Sequence, residues 1–247
     1  IPAGYEIELE HQALLSDAVD NLLAGVAADR KLLDWISSYV ASRLDDSKGW
    51  DIRQEILGVA DQIFRENFRQ LTAEDKKKIS DYGVMAKYAS GVYAIRKRFE
   101  NELKRLAVEG VRIFTECGIT ADDFLSKSRG GVGDGLRKYA EGDTRKPGSA
   151  WKKATEEGKY YANTAGPELM QAFGKAMTMG LGDIVSSISG WFEREYPLYV
   201  AALAQVRTIH VIGILGAISE RVREQDHEQN LFLLSDSGEL ISRLIAD

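Results

Sequence analysis

Apolar residues recur at alternating steps of three and four along almost the whole chain, while the two-residue alternation of half-buried strands is nearly absent. Only four prolines interrupt this pattern: Pro2, Pro147, Pro167 and Pro197. Leu14, Leu15, Ala18, Val19, Leu22, Leu23 and Val26 form one apolar stripe; Leu32, Leu33, Ile36, Tyr39, Val40 and Leu44 form a second. Ile52, Ile56, Val59, Ile63 and Phe64 form a third, entered at Asp51 and ended near Leu71. With 247 residues, 44% of them apolar, the chain has enough material for a buried core. The pattern predicts an all-α, multi-helix bundle with one very long helix and a Gly/Lys/Arg-rich, partly irregular segment.

The long helix is read from residues 72–116, which contain no proline and no clear stop. It would run about 65 Å at 1.5 Å per residue, with Gly83 and Gly91 as sites for a kink. Thr72 with Asp75 resembles a capping box at its start, and Gly118 suits its C-terminus. Tyr82, Met85, Ala89, Val92, Phe99, Leu103, Leu106 and Ile113 mark its apolar face, with Arg96 and Gly110 interrupting the register. Thr120 and Asp123 predict a short helix over 121–126. Gly166-Pro167 suits an N-cap followed by the first helical position, and opens a helix with a break at Gly180-Leu181-Gly182. Pro197 is read as the start of another helix, running to about Gln229 and most buried over 206–218. A cap formed by Asp236 with Glu239 begins a final short helix. The chain is read as a single domain over 1–247, with subregions 1–126, 127–159 and 160–247.

Apolar content and a net charge of −6 exclude intrinsic disorder, and the lone Cys117 excludes a disulfide scaffold. No apolar run approaches the roughly 20 residues of a membrane span. The best stretch, 198–219, is broken by Gln205, Arg207 and His210. Without a signal peptide, an intracellular, cytoplasmic location and no membrane partner are expected. Ile1 in place of Met points to a piece of a longer protein.

Charge is distributed unevenly. Residues 1–126 and 160–247 each carry a net charge of −5, whereas residues 127–159 carry nine basic and five acidic side chains, net +4. The nine are Lys127, Arg129, Arg137, Lys138, Arg145, Lys146, Lys152, Lys153 and Lys159. Seven glycines share this segment, which lets backbone approach a phosphate closely. Cations release counterions from a nucleic-acid backbone, so the segment is a candidate DNA contact. Tyr139, Trp151, Tyr160 and Tyr161 are interleaved with it and are candidate stacking platforms for exposed bases. A solvated helix surface with anchoring aromatics is the plainer alternative.

No catalytic constellation emerges. Residues 125–128 superficially suggest a phosphate loop, but Ser126 and Ala121 stand where that loop needs glycines, and a helix precedes it. Glu102-Leu103-Lys104 and Glu157-Gly158-Lys159 mimic the Glu-x-Lys triplet of metal nucleases but lack the strand that aligns it. His11, His210 and His227 show no ligand spacing, and no catalytic or metal residue is assigned. His210 is expected to be a hydrogen-bonded core histidine. Cys117 is a helix-end residue, and Asp45-Asp46 and Asp122-Asp123 mark helix ends.

Five stretches carry a family resemblance: Pro2-Ala3-Gly4-Tyr5-Glu6-Ile7-Glu8, Trp50-Asp51-Ile52-Arg53-Gln54-Glu55, Lys127-Ser128-Arg129-Gly130, Tyr196-Pro197-Leu198-Tyr199 and Asn230-Leu231-Phe232-Leu233-Leu234-Ser235-Asp236. Together they resemble the helical insertion in the first motor domain of RecB/AddA/UvrD-like superfamily 1 DNA helicases, in the Bacteroidetes-type form. Asp236-Ser237-Gly238-Glu239-Leu240-Ile241 is similar to the acidic-leucine segment before the family's Walker B strand, with Ser237 and Gly238 departing from it. The resemblance implies that the Walker A and Walker B elements lie outside these residues. ATP and Mg would then belong to the parent helicase, and this chain would hold no cofactor. It also implies DNA as a partner, single-stranded or forked and without sequence specificity. The remaining motor domains and a nuclease subunit are further implied partners. A helical protein-interaction module using Tyr82, Tyr88 and Tyr93 is the rival expectation.

Overall fold

The computed structural model describes residues 6–8, 11–45, 52–229 and 231–233. The Asp236 cap, the final helix and several residues of the first, second and fifth resemblance stretches lie outside them. In chain order the elements are β1 (Glu6–Glu8), α1 (His11–Ala24), α2 (Arg30–Asp45), α3 (Arg53–Ala60), α4 (Glu66–Arg69), α5 (Ala73–Ser80) and α6 (Tyr82–Glu116). They continue as α7 (Val132–Ala140), α8 (Ser149–Glu157), α9 (Pro167–Thr178), α10 (Leu181–Ile212), α11 (Leu215–Gln229) and β2 (Leu231–Leu233). The architecture is an all-α, multi-helix one. Among the described residues the exception is a parallel pairing of β1 with β2, Glu6 opposite Leu231. Strands of three residues are too short to show as a period-2 pattern, and the sequence reading contained neither.

The chain divides into two compact units, residues 1–91 with 205–247, and residues 92–204. These boundaries differ from the composition boundaries at 126 and 159. In the first unit, α1 packs on α3 and α11, and α11 packs on α5. Its core holds Val19, Trp35, Tyr39, Ile56, Ile214 and Ile218, each at most 4% exposed. Arg53 ties α3 to α1 through Asp20 at 2.6 Å and Ser16 at 2.7 Å. Tyr39 donates its hydroxyl to Glu55.

In the second unit the core is aromatic. Phe99, on α6, is stacked 4.3 Å from Tyr199 and meets Phe192 edge-on at 5.4 Å. The two interruptions of the α6 stripe are explained here. Arg96 bonds Glu100 at 2.9 Å on the same helix. Gly110 leaves room for Leu136 and Ile184, since a Cβ there would meet Leu136 at 2.9 Å.

Four element boundaries depart from expectation. The helix over 72–116 is two helices. Asp81 is extended, and its carboxylate accepts from the N–H groups of Gly83 and Val84, ending α5 and capping α6. The Thr72 cap holds: its hydroxyl accepts from Asp75 N–H at 3.1 Å. The third stripe is α3, a 3-10 turn over Asp61–Phe64, and α4 rather than one helix. The helix over 121–126 is a 3-10 turn at Ala121–Asp123, since Ser126 and Lys127 turn left-handed. Pro197 lies inside α10 rather than starting a helix. Its missing N–H removes one helical bond, while Phe192 and Tyr199, on either side, are anchored in the aromatic core. The break falls instead after Ile212, where a Cβ on Gly213 would meet the Trp35 indole at 2.6 Å. Gly118, Gly166-Pro167 and Gly180 behave as expected: Gly118 and Gly180 have φ of +75° and +97°, and Pro167 opens α9. No single helix among the described residues is long and apolar enough to cross a membrane.

Candidate nucleic-acid interface

The basic segment is held at both ends by the core of the second unit. Phe124, 2% exposed, is wedged edge-on against Phe114 at 5.3 Å and Phe173 at 5.0 Å. The next residue, Leu125, donates its N–H to the carbonyl of Tyr160 at 2.7 Å. That bond closes residues 125–160 into a loop whose ends are fixed. Thr120 and Asp123 form a capping box just before it.

Within the loop the chain is more ordered than its composition suggests. Ser126 (φ +70°) and Lys127 (φ +44°) are left-handed, a costly conformation for residues bearing a Cβ. They turn the chain so that Gly131 N–H reaches the Lys127 carbonyl at 3.0 Å and α7 begins. Gly131, Gly133 and Gly135 are packing positions. A Cβ on Gly133 would lie 2.4 Å from the Phe124 ring, and one on Gly135 would lie 2.7 Å from Trp151 Nε1. Val132, Leu136 and Tyr139 on α7, with Ala150, Trp151 and Ala154 on α8, are buried.

The aromatic expectation therefore needs correction. Trp151, Tyr139 and Tyr160 are 2%, 4% and 7% exposed, so their faces are unavailable to a nucleic-acid base. Tyr161 is half-buried against Phe173 at 4.9 Å. Apolar area favours burying these rings over displaying them. Burial pushes the Tyr139 hydroxyl well above the usual phenol range, and it donates to the Arg145 carbonyl at 2.9 Å. Burial likewise raises Tyr160.

The nine cations fall into three groups. Lys138 pairs with Asp134 at 2.7 Å, Arg145 with Asp143 at 2.6 Å, Lys159 with Glu157 at 2.7 Å, and Lys152 approaches Glu156 at 3.8 Å. Hydrogen bonding from Arg145 lowers the Asp143 carboxyl, and hydrogen bonding from Lys159 lowers Glu157. Lys146 lies 4.8 Å above the Tyr196 ring. Lys127, Arg129, Arg137 and Lys153 are exposed and form no ion pair among the described residues. Asp134 and Lys138 are four apart on α7, so that pairing was readable from sequence; the fold-dependent closure at Leu125 and Tyr160 was not.

The remaining chemistry is also placed. Glu102 and Lys104 lie on α6, where Glu102 pairs with Arg105 at 2.6 Å, and Glu157 ends α8. Cys117 sits 3.6 Å from the sulfur of Met179. Among the described residues no group of three or more His, Cys, Asp or Glu side chains is placed to hold a metal ion. His210 is 2% exposed, and burial pushes it down to about 4. Its ring stacks on Tyr39 at 5.1 Å, with Ser38 Oγ 3.5 Å from Nδ1. Of the rival docking tyrosines, Tyr82 packs on Trp35 at 6.1 Å and Tyr93 is half-buried, while Tyr88 is 52% exposed. No protein-family model, curated protein or solved structure matches this chain.

Proposed function

We propose that the chain is a DNA-contacting accessory domain of an ATP-dependent DNA helicase or helicase–nuclease acting in repair or recombination. The observation that carries this reading is the exposed set Lys127, Arg129, Arg137 and Lys153, free of ion pairs among the described residues, on a net-positive segment of a net-negative chain. The resemblance to the helicase insertion supplies the biological setting. ATP and Mg belong, on this reading, to the motor domains of the parent, and a nuclease subunit is a further partner. The chain's own contribution is sequence-independent contact with phosphates of single-stranded or forked DNA. Base stacking has no part in it.

Fluorescence anisotropy with a labelled forked oligonucleotide tests this. Four single-strand phosphate contacts give a salt slope of roughly −2.8, so affinity falls roughly 50-fold between about 50 and about 200 mM salt. Combining Lys127→Glu, Arg129→Glu, Arg137→Glu and Lys153→Glu abolishes binding; unchanged affinity removes the segment from the reading. ATP turnover by the chain alone would overturn the accessory role. A helical protein-interaction module remains the second reading, favoured by the exposure of Val84 (48%) and Tyr88 (52%) on α6. Failure to bind DNA at low salt would leave it standing.

A further inference from the structure

We propose that a cleft of about 560 Å³ between α5 and α11 binds a small polyphosphate anion. Every residue lining it belongs to the first unit, so the inference does not rest on the DNA-contact reading. Helix α11 packs on α5, yet α5 buries none of its residues. Residues three and four apart share a helix face. Ala73, Lys76, Lys77 and Ser80 therefore form one face of α5, and Gly216, Ser219, Glu220 and Arg223 form one face of α11; both faces line the cleft. They meet at Gly216, where a Cβ would stand 1.7 Å from Ser80 Oγ. Helix faces that pack together ordinarily carry apolar side chains. These carry Lys76, Lys77 and Arg223 instead, and Lys31 of α2 joins them. The Lys76 ammonium lies 5.6 Å over the Phe68 ring, and Phe68 lines the cleft too. Lys31, Lys77 and Arg223 are exposed and form no ion pair among the described residues. Two carboxylates also line the cleft. That of Asp81 accepts from the N–H groups of Gly83 and Val84. Glu220 and Tyr82 are shared with a second, smaller cleft that Asp29 and Glu224 line. Four cations against two carboxylates leave the cleft with a surplus of two positive charges. Like charges gathered in one cleft focus a field that draws an anion in. The space falls within the range of about 300–1,000 Å³ that holds small-molecule ligands and is generous for one phosphate. A chain of two or three phosphates spreads its charge and meets cations from three helices at once. Inorganic tripolyphosphate and the phosphate chain of a nucleoside diphosphate share that chemistry.

Isothermal titration calorimetry of the whole 247-residue chain at low salt tests this, with inorganic tripolyphosphate in one arm and ADP in the other. Tripolyphosphate is expected to bind and to raise the melting temperature, since a ligand held only by the folded state stabilises it. Tighter binding of ADP identifies a nucleotide as the source; tighter binding of tripolyphosphate identifies the inorganic chain. Lys77→Gln with Arg223→Gln removes two exposed cations without touching the core and weakens tripolyphosphate binding about tenfold. Lys77→Arg with Arg223→Lys keeps both charges and retains binding, which separates charge from fold. The combined reversal of Lys127, Arg129, Arg137 and Lys153 leaves tripolyphosphate binding intact; its loss there would move the anion to the basic segment and overturn the cleft. Absence of binding by both ligands, or unchanged affinity in the double Gln variant, also overturns it. Neither of those two results bears on the DNA reading.

Discussion

Trp35 donates its indole N–H to the backbone carbonyl of His210 at 2.8 Å, across 175 positions of sequence. The same indole lies 4.8 Å from the His210 ring and fills the space left by Gly213. Helix α2 and the end of α10 are thus locked in the first unit by one ring and one missing side chain.

Acid should loosen that unit through His210. Burial lowers its folded pKa from 6.5 to about 4, so an unfolded chain takes up the proton first as pH falls. The histidine's contribution is complete above its unfolded pKa and is lost at up to about 1.4 kcal/mol per pH unit between the two values. Urea midpoints measured against pH should fall through this window. His210→Phe, which retains a ring for Tyr39 to stack on, should flatten the fall. A charged imidazole seen by NMR in the folded protein at pH 6 would contradict the prediction.

Gly213→Ala should destabilise the first unit by about 1–3 kcal/mol, because the new methyl overpacks the interior. Its Cβ would stand 2.6–2.9 Å from three atoms of the Trp35 indole. Trp35 fluorescence and thermal melting read the effect together. An unchanged melting temperature would mean that the ring has room to move.

Left-handed Ser126 and Lys127 should each be relieved by glycine, with a gain of about 1 kcal/mol. The two variants separate stability from binding. Ser126→Gly is expected to raise the urea midpoint and leave DNA affinity alone. Lys127→Gly raises it equally but weakens binding, because the cation is gone. Equal affinities would place Lys127 outside the contact.

Phe99→Ala should cost about 3–5 kcal/mol, the range for emptying a buried aromatic site. Phe99 is 1% exposed and meets Trp191, Phe192, Tyr196 and Tyr199. Arg112→Ala is the contrast. Its bonds to Glu109 and Glu116 raise its pKa, but all three side chains are 44–49% exposed, and solvent screens the pairs. Calorimetry should show a large loss for the first and little or no change for the second.

Much of the helical architecture was legible in the residues themselves, because period and caps are local properties. The stripe from Met85 to Ile113, the Thr72 cap, the Gly118 and Gly180 terminations and the Gly166-Pro167 start all depend on a few neighbouring residues. The burial of His210 also followed from the apolar run around it. Other outcomes required partners distant in sequence. Pro197 reads locally as a helix start, but it sits within a helix flanked by anchored aromatic side chains. Gly213, unremarkable in sequence, becomes a break where Trp35 presses on it. The basic segment divides in the same way. Its net charge is composition, whereas tertiary packing turns Trp151 and Tyr160 inward and closes Leu125 onto Tyr160. The sign of the surface was written locally; which of its cations and rings face outward was decided by what the core had room to bury.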